Sequence, residues 1–413
     1  MQNEITELRN QVRTLKRIVY GFGCLLVVGI VVGATSLQTV PDVIQAKKFE
    51  VVNGNGKSVV FNAGVKAENG EKKLPSLLPK HYEIGIAPSH ITTPPGPLFR
   101  STSRWSTVAT HVNLYKYYGV QLIGAKWATD LDGKTVAEFA KKENMKIGCE
   151  FGDFYLGDQR IPEPSTPAFR QLDPVFKAGG SVSSIHLDGP IRRMIKGVQK
   201  HPSAITLDEI AERMVDFWQK IHAKYPRMRI GLITNLPNWD YTKELVGYNG
   251  HFTDKSGVTY SEALDAVHRA LTKAGKKMDF IEIDCPYNYY REKRTRNKDA
   301  AVDNAQKFTA LQQWCKARDI DFHVVVNAEP RNQGAQGFHD LTCEYVRQLR
   351  RDGIFPDVFI IQSWYKQPAK NLPESETFTF MNTAKDAIAL IQKLYPNKAT
   401  RTSRSNGRAK TRR

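Results

Sequence analysis

Short apolar runs recur between residues 82 and 364, and in several of them apolar and polar side chains alternate. They are YEIGIA (82–87), GVQLIGAKW (119–127), KIGCEF (146–151), SSIHLD (183–188), RIGLIT (229–234), DFIEID (279–284), DFHVVVN (321–327) and DVFIIQSW (357–364). Alternation of period two buries one face of a strand, and runs this short predict strands rather than helices. Most of the intervals carry the helical period. In TLDEIAERMVDFWQKIHAKY, Ile210, Met214, Phe217 and Ile221 form one stripe, and Thr206 and Glu209 are spaced as a capping box. In NAQKFTALQQWCKARD, Phe308, Leu311 and Cys315 share a helix face. Eight strands alternating with helices predict an α/β fold with a parallel sheet, and the count favours a closed (β/α)8 TIM-like barrel over 81–395. An open doubly wound sheet is the alternative, but IAPSHITTPPGP after the first strand is not the glycine-rich phosphate turn such a sheet usually carries.

A barrel gives the polar half of each strand a place. Residues facing the helices must be apolar, whereas those facing the axis can be polar near the mouth. In SSIHLDGP, Ile185 and Leu187 face the helices while Ser184, His186 and Asp188 face the axis. By the same phase Glu282 and Asp284 face inward, as do His323, Asn327 and Glu329. Alternate strands share layers, so His186 should meet Glu282, with Asp188 opposite Asp284 one step nearer the mouth. The deeper pair, with His323, reads as a buried structural network.

Four acids fall at or near the carboxyl ends of strands, where barrel enzymes assemble their sites: Glu150, Asp188, Asp284 and Glu329. Two carboxylates across a cleft suffice for glycoside hydrolysis, one protonated to donate to the leaving oxygen and the other a nucleophile or a base for water. Asp188 and Glu329 are the leading pair, and Asp284 replaces either if the working pair spans the fourth and sixth strands. The loops NLPNWDYTKELVGYNGHF, CPYNYYREKR and QSWYKQPAKNLPES bring Trp239, Tyr241, Tyr287, Tyr289, Tyr290, Trp364 and Tyr365 to the same rim. Flat rings among amides and carboxylates suit sugars, although some of these rings should only pack loops together. The expected substrate contacts are Glu150, Asn235, Trp239, Tyr287, Tyr289, Asn327, Gln362 and Trp364. No cofactor or metal is expected: no strand carries paired ligating histidines, and no G-x-S-x-G elbow occurs.

The amino terminus changes the setting. Ile18 to Pro41 carries no charge, and its apolar part, 18–40, is about long enough to cross a bilayer as a helix. Arg9, Arg13, Lys16 and Arg17 precede it, which predicts an uncleaved anchor with the remainder periplasmic or extracellular. A cleaved signal peptide is the rival. Residues 1–17 repeat apolar positions as a short coiled-coil seam, and Gly29 and Gly33 make a small-xxx-small pair, so homodimerisation is consistent with both. KKFEVVNGNGKSVVFNAG predicts a β-hairpin within 43–65, followed by a polar linker over 66–80.

Charge and cysteine content alter little. The formal net charge is +18, but seven Lys and Arg sit in the terminal NKATRTSRSNGRAKTRR, so 396–413 reads as a disordered basic tail. Without an aromatic-and-basic stripe elsewhere, nucleic acid is not the expected partner. Cys24, Cys149, Cys285, Cys315 and Cys343 lack CxxC spacing and are expected as buried free thiols, with a Cys315–Cys343 bridge as the alternative in an oxidising compartment.

SSIHLDGP, RIGLITNLP, FIEIDCPYNYY and IIQSWYKQPAKNLPES resemble bacterial exported barrel proteins of the glycoside-hydrolase-like type. The resemblance spans 81–395, is most specific at SWYKQPAKNLPE (363–374), and implies the barrel and a cleft rather than a substrate. Gly189 departs from it, standing where an acid often follows the aspartate. The sequence therefore predicts a membrane-anchored glycoside hydrolase-like enzyme acting on an extracytoplasmic polysaccharide. A noncatalytic glycan-binding barrel at the cell envelope is the alternative.

Overall fold

Eight parallel strands close on themselves in sequence order: β3 (Glu83–Ala87), β4 (Leu114–Tyr118), β5 (Lys146–Phe151), β6 (Ser184–Asp188), β7 (Arg229–Thr234), β8 (Phe280–Asp284), β9 (Asp321–Val326) and β10 (Val358–Gln362). Closure is direct, since Val358 of β10 stands opposite Glu83 of β3 and Gln362 opposite Ala87. The computed structural model describes residues 48–52, 58–62, 81–89, 94–122, 131–152, 165–196, 205–298 and 300–396.

Long helices follow most strands for the reason the periodicity gave. Leu207–Lys224 starts at Thr206, whose hydroxyl accepts from the Glu209 amide while Glu209 accepts from the Thr206 amide at 2.7 Å. This reciprocal cap satisfies two donors that a helix start otherwise leaves open. Ile210, Met214, Phe217 and Ile221 are fully buried against the barrel, each contributing roughly 1.5–3 kcal/mol by removal from water. In Asn304–Lys316, Phe308, Leu311 and Cys315 are likewise buried.

Seven of the eight expected strands lie where the short apolar runs put them. The second does not. The apolar run GVQLIGAKW begins with a 3-10 turn, Gly119–Leu122, and the strand is the preceding LYKYY, Leu114–Tyr118. The charged Lys116 disguises that strand, because its ammonium is accommodated inside the barrel by carboxylates that come from other strands.

In the amino-terminal unit, β1 (Lys48–Val52) and β2 (Ser58–Asn62) pair antiparallel, Lys48 opposite Asn62 and Val52 opposite Ser58, as the hairpin reading requires. The predicted anchor at 18–40, the seam at 1–17, the linker at 66–80 and the tail beyond Pro396 lie outside the described residues. Among the described residues no helix is long and apolar enough to cross a membrane. Cys149, Cys285, Cys315 and Cys343 are free and buried, so Cys315 and Cys343 are not bridged.

Candidate active site

Inside the barrel, alternation aims Lys116, His186, Glu282 and Ile360 at one level of the axis. Glu282 is the hub. One carboxylate oxygen accepts from the Lys116 ammonium at 2.6 Å and the other meets His186 Nδ1 at 2.6 Å. His186 Nε2 lies 2.9 Å from the Ser184 hydroxyl, and Lys116 Nζ lies 2.6 Å from Glu150 Oε2. A continuous polar chain thus runs along the axis from Ser184 to Glu150, and all its members are buried. The expected His186–Glu282 pair exists; Lys116, which ties it to Glu150, went unpredicted. Gly148 leaves room for it, because a Cβ there would stand 2.9 Å from His186 Nε2. Burial alone would raise the Glu282 carboxyl, but Lys116 and His186 outweigh it and hold the group well below the usual carboxylate range.

Among the described residues, His186, Glu282 and His323 bring metal-ligating atoms within 4.8 Å of one another. Both Glu282 oxygens are already engaged, one by the Lys116 ammonium and the other by His186 Nδ1. The cluster does not fit a metal.

Above this layer the barrel mouth opens into a cavity of about 490 Å³. Asp188, Asp284, Glu150, Asn235, Asn327 and Gln362 face it at the strand ends, while Tyr248, Tyr289, Trp364, Tyr365, Arg192 and Arg296 form its walls. The two aspartates experience different surroundings. Asp188 is ion-paired to Arg193 and, at 3.4 Å, to Arg192, both from the short helix Pro190–Met194 that follows β6. Arg193 also donates to the Gly152 carbonyl, which fixes the guanidinium across two strand ends. Asp284 has no guanidinium partner among the described residues, and only the Asn327 amide donates to it, at 3.2 Å. Burial, reinforced by the negative charge of Asp188, pushes the Asp284 carboxyl up to about 6. Glu150 is also raised, by burial and by Asp188 and Glu282, against the pull of Lys116.

Gly189 explains how the clamp forms. It adopts φ 55, a left-handed conformation that L side chains disfavour, and starts the helix bearing both arginines. A Cβ at 189 would lie 2.1 Å from Arg192 Nε, so an acid at this position would displace the guanidinium from Asp188. Gly189→Ala is expected to lower stability by about 1–2 kcal/mol through the left-handed backbone alone. Thermal unfolding of the two proteins side by side measures it, and an unchanged midpoint would contradict the reading.

The remaining expected contacts divide. Glu150, Asn235, Tyr289, Asn327, Gln362 and Trp364 line the cavity. Trp239 does not: it is 2% exposed, its indole N–H donates to the Val258 carbonyl at 2.7 Å, and its ring packs on Tyr260 and Phe252. Tyr287 is buried against Tyr345 and also stays out of the wall. Glu329 is half-buried outside the cavity wall, its amide donating to Asn288 Oδ1 at 2.8 Å. A large ring or an acid at a strand end serves a loop core as well as a mouth, and sequence phase does not separate the two. The residues that the sequence did not point to are Lys116, Arg192 and Arg193, and Tyr248 and Arg296 in the cavity wall. Two arginines four and five positions after an acid, with glycine between, are the one signal that could have found the clamp.

The SWYKQPAKNLPE motif is largely architectural. Its Glu374 accepts from the Thr107 and Val108 amides at 3.0 Å each, and Asn371 donates to the Ser89 carbonyl at 3.0 Å, joining the last loop to the first. Only Trp364 and Tyr365 of this segment reach the cavity.

No family model matches the chain, and no curated protein matches it in sequence. Solved structures do match in fold. The endo-beta-1,4-mannanase from Thermotoga petrophila aligns at a TM-score of 0.50 and 11% identity, covering 81% of this chain and 79% of that one. A D-psicose 3-epimerase determined with D-fructose gives 0.41 and 10% identity, over 76% of this chain and 99% of that one. A sugar phosphate isomerase/epimerase from Parabacteroides distasonis gives 0.40 and 9%, over 75% and 93%. At 11% identity the likeness to the mannanase shows an α/β TIM-type barrel, a fold that hosts many chemistries, and leaves function to the site.

Proposed function

We propose that this chain is a glycoside hydrolase-like enzyme acting on an extracytoplasmic polysaccharide, with Asp188 and Asp284 as its working carboxylates. The observation that carries the reading is their unequal treatment within one open, aromatic-walled cavity. Asp188 is paired with two guanidiniums, whereas Asp284 is buried beside that negative charge and holds its proton up to about 6. Environments that push two acids apart divide their roles. Asp284 gives its proton to the glycosidic oxygen as the bond to the anomeric carbon breaks. Asp188 faces the positive charge developing there, as nucleophile or as base for the attacking water, and water supplies the oxygen and hydrogen that complete hydrolysis. Trp364, Tyr365 and Tyr289 offer faces for sugar rings, and Asn235, Asn327 and Gln362 offer amides for hydroxyls.

Noncatalytic glycan binding is the second reading, favoured by the same Arg192–Asp188–Arg193 clamp, which could fix Asp188 as a structural group. Incubating the full chain with a panel of polysaccharides separates the two. Released reducing ends that disappear in Asp188→Asn support hydrolysis; retention on a glycan with no release, unchanged in that variant, supports binding. Attachment to a membrane through residues 18–40, and pairing of two copies through 1–17, belong to the proposal and rest on the uncharged run and the apolar seam alone.

A further inference from the structure

The loop that follows β8 carries an excess of positive charge at the barrel mouth. Arg291, Lys293, Arg294, Arg296 and Lys298 are all exposed, with Glu292 the one acid among them. Arg291 lies over the Tyr287 ring at 5.4 Å, and the other four have no ion pair among the described residues. Like charges gathered on one segment repel, which favours an open chain. This segment is folded back instead. The Val302 amide donates to the Lys293 carbonyl at 2.9 Å, Arg294 bridges antiparallel to Ala301, and the Thr295 amide donates to the Ala300 carbonyl at 3.0 Å.

The fold-back places one of the five cations in the cavity wall. Arg296 lines the mouth cavity, and its amide donates to the Tyr248 carbonyl at 2.7 Å, which ties this loop to the one after β7. Tyr248 packs against Tyr289 at 5.6 Å, and both rings belong to the same cavity wall. Amides line it too: Asn249 donates to Asn238 at 3.2 Å, and Asn238 to Asn235 at 2.8 Å. The floor has the opposite sign, with Glu150, Asp188 and Asp284 at the strand ends. An anion is therefore attracted at the rim and repelled from the floor.

We propose that the glycan taken by this mouth is acidic, its anionic substituent, a carboxylate or a sulfate ester, meeting Arg296 at the rim while an uncharged part of the chain lies over the carboxylate floor. The four neighbouring cations add a longer-range field that draws an acidic chain to the mouth. Sugar rings stack on Tyr248 and Tyr289, and hydroxyls pair with the three amides. A nucleic acid fits less well, since it carries a phosphate at every step across the acidic floor. The inference rests on the reading of this mouth as a glycan site, and not on hydrolysis.

Calorimetric titration of the full chain at about 0.15 M salt tests it. Trimannuronate and trigalacturonate supply carboxylates, and a carrageenan tetrasaccharide supplies sulfate. Mannotriose, galactotriose and the desulfated tetrasaccharide are their neutral counterparts. At least one acidic oligosaccharide is expected to bind about fivefold more tightly than its neutral counterpart, and the class that does so names the anion. Arg296→Gln should remove that preference and leave the neutral affinities unchanged. Arg404→Gln/Arg408→Gln, a larger loss of charge in the basic tail, should keep it. Acidic and neutral sugars bound alike, or a preference that survives Arg296→Gln or falls equally in the tail variant, overturns the inference and leaves glycan binding in place. Binding of none of these sugars overturns both. Oligothymidylate bound more tightly than every acidic sugar, and lost in Arg296→Gln, assigns the surface to nucleic acid and overturns it as well. Acidic sugar bound without release of reducing ends removes the hydrolase reading and supports this one.

Discussion

Asp284→Asn is expected to lower kcat on a cleavable glycan by about 10²–10⁴-fold, the range associated with a positioned general acid, with little change in KM. The amide keeps the shape and the contact with Asn327 but has no proton to give at neutral pH. Because the wild-type carboxyl holds its proton only up to about 6, kcat should fall as pH rises through that value, and this limb should be missing from the variant's residual rate. The same substitution should stabilise the fold at pH 7. An acid whose folded value lies above its ordinary 3.8 binds more protons folded than unfolded between the two values, so stability is lost as pH rises from about 4 to 6. Asn mimics the protonated group, so its advantage at pH 7 should vanish below pH 4. A variant with wild-type kcat, or with no pH-dependent gain in stability, sinks the assignment of Asp284.

Lys116→Met is expected to cost about 3–5 kcal/mol at pH 7, the loss typical of breaking a buried ion pair from one side. The ammonium is fully buried between Glu150 and Glu282, and without it two carboxylates share a dry interior with no compensating cation. Glu282 sets the pH dependence. Its depressed carboxyl contributes stability above the unfolded value near 4.5, and that contribution is lost as pH falls toward its folded value. The gap between wild type and variant should therefore be widest at neutral pH and should narrow in acid. Urea unfolding at pH 7 and at pH 4 measures both, and Lys116→Met/Glu282→Gln should recover part of the loss. A gap that is small or independent of pH would mean that the chain from Ser184 to Glu150 is not held by its charges.

Much of the architecture was legible because it rests on local periodicity. A strand that buries one face alternates and one buried on both faces reads as a short apolar run, and seven of the eight strands follow from these two patterns. The capping box at Thr206 and Glu209 is equally local, needing only a hydroxyl and a carboxylate three residues apart. Extending the alternation through the barrel's layer rule also gave a long-range contact, His186 to Glu282, across two strands of sequence separation.

The failures have one cause. Leu114–Tyr118 was missed because Lys116 is compatible with a buried strand only when Glu150 and Glu282 arrive from β5 and β8, and no window of sequence contains those partners. Asp188, Asp284 and Glu329 look alike as acids at strand ends. Only the folded chain gives Asp188 its arginines, buries Asp284, sets both in one cavity wall and leaves Glu329 outside it. Trp239 and Tyr289 likewise differ only in whether a neighbouring loop covers them. The sequence by itself determined which elements form, which side of each strand faces the axis, and that acids gather at one end. Tertiary structure decided which acids share a cavity and which charges are neutralised, because pairing and burial depend on residues that meet only when the barrel closes.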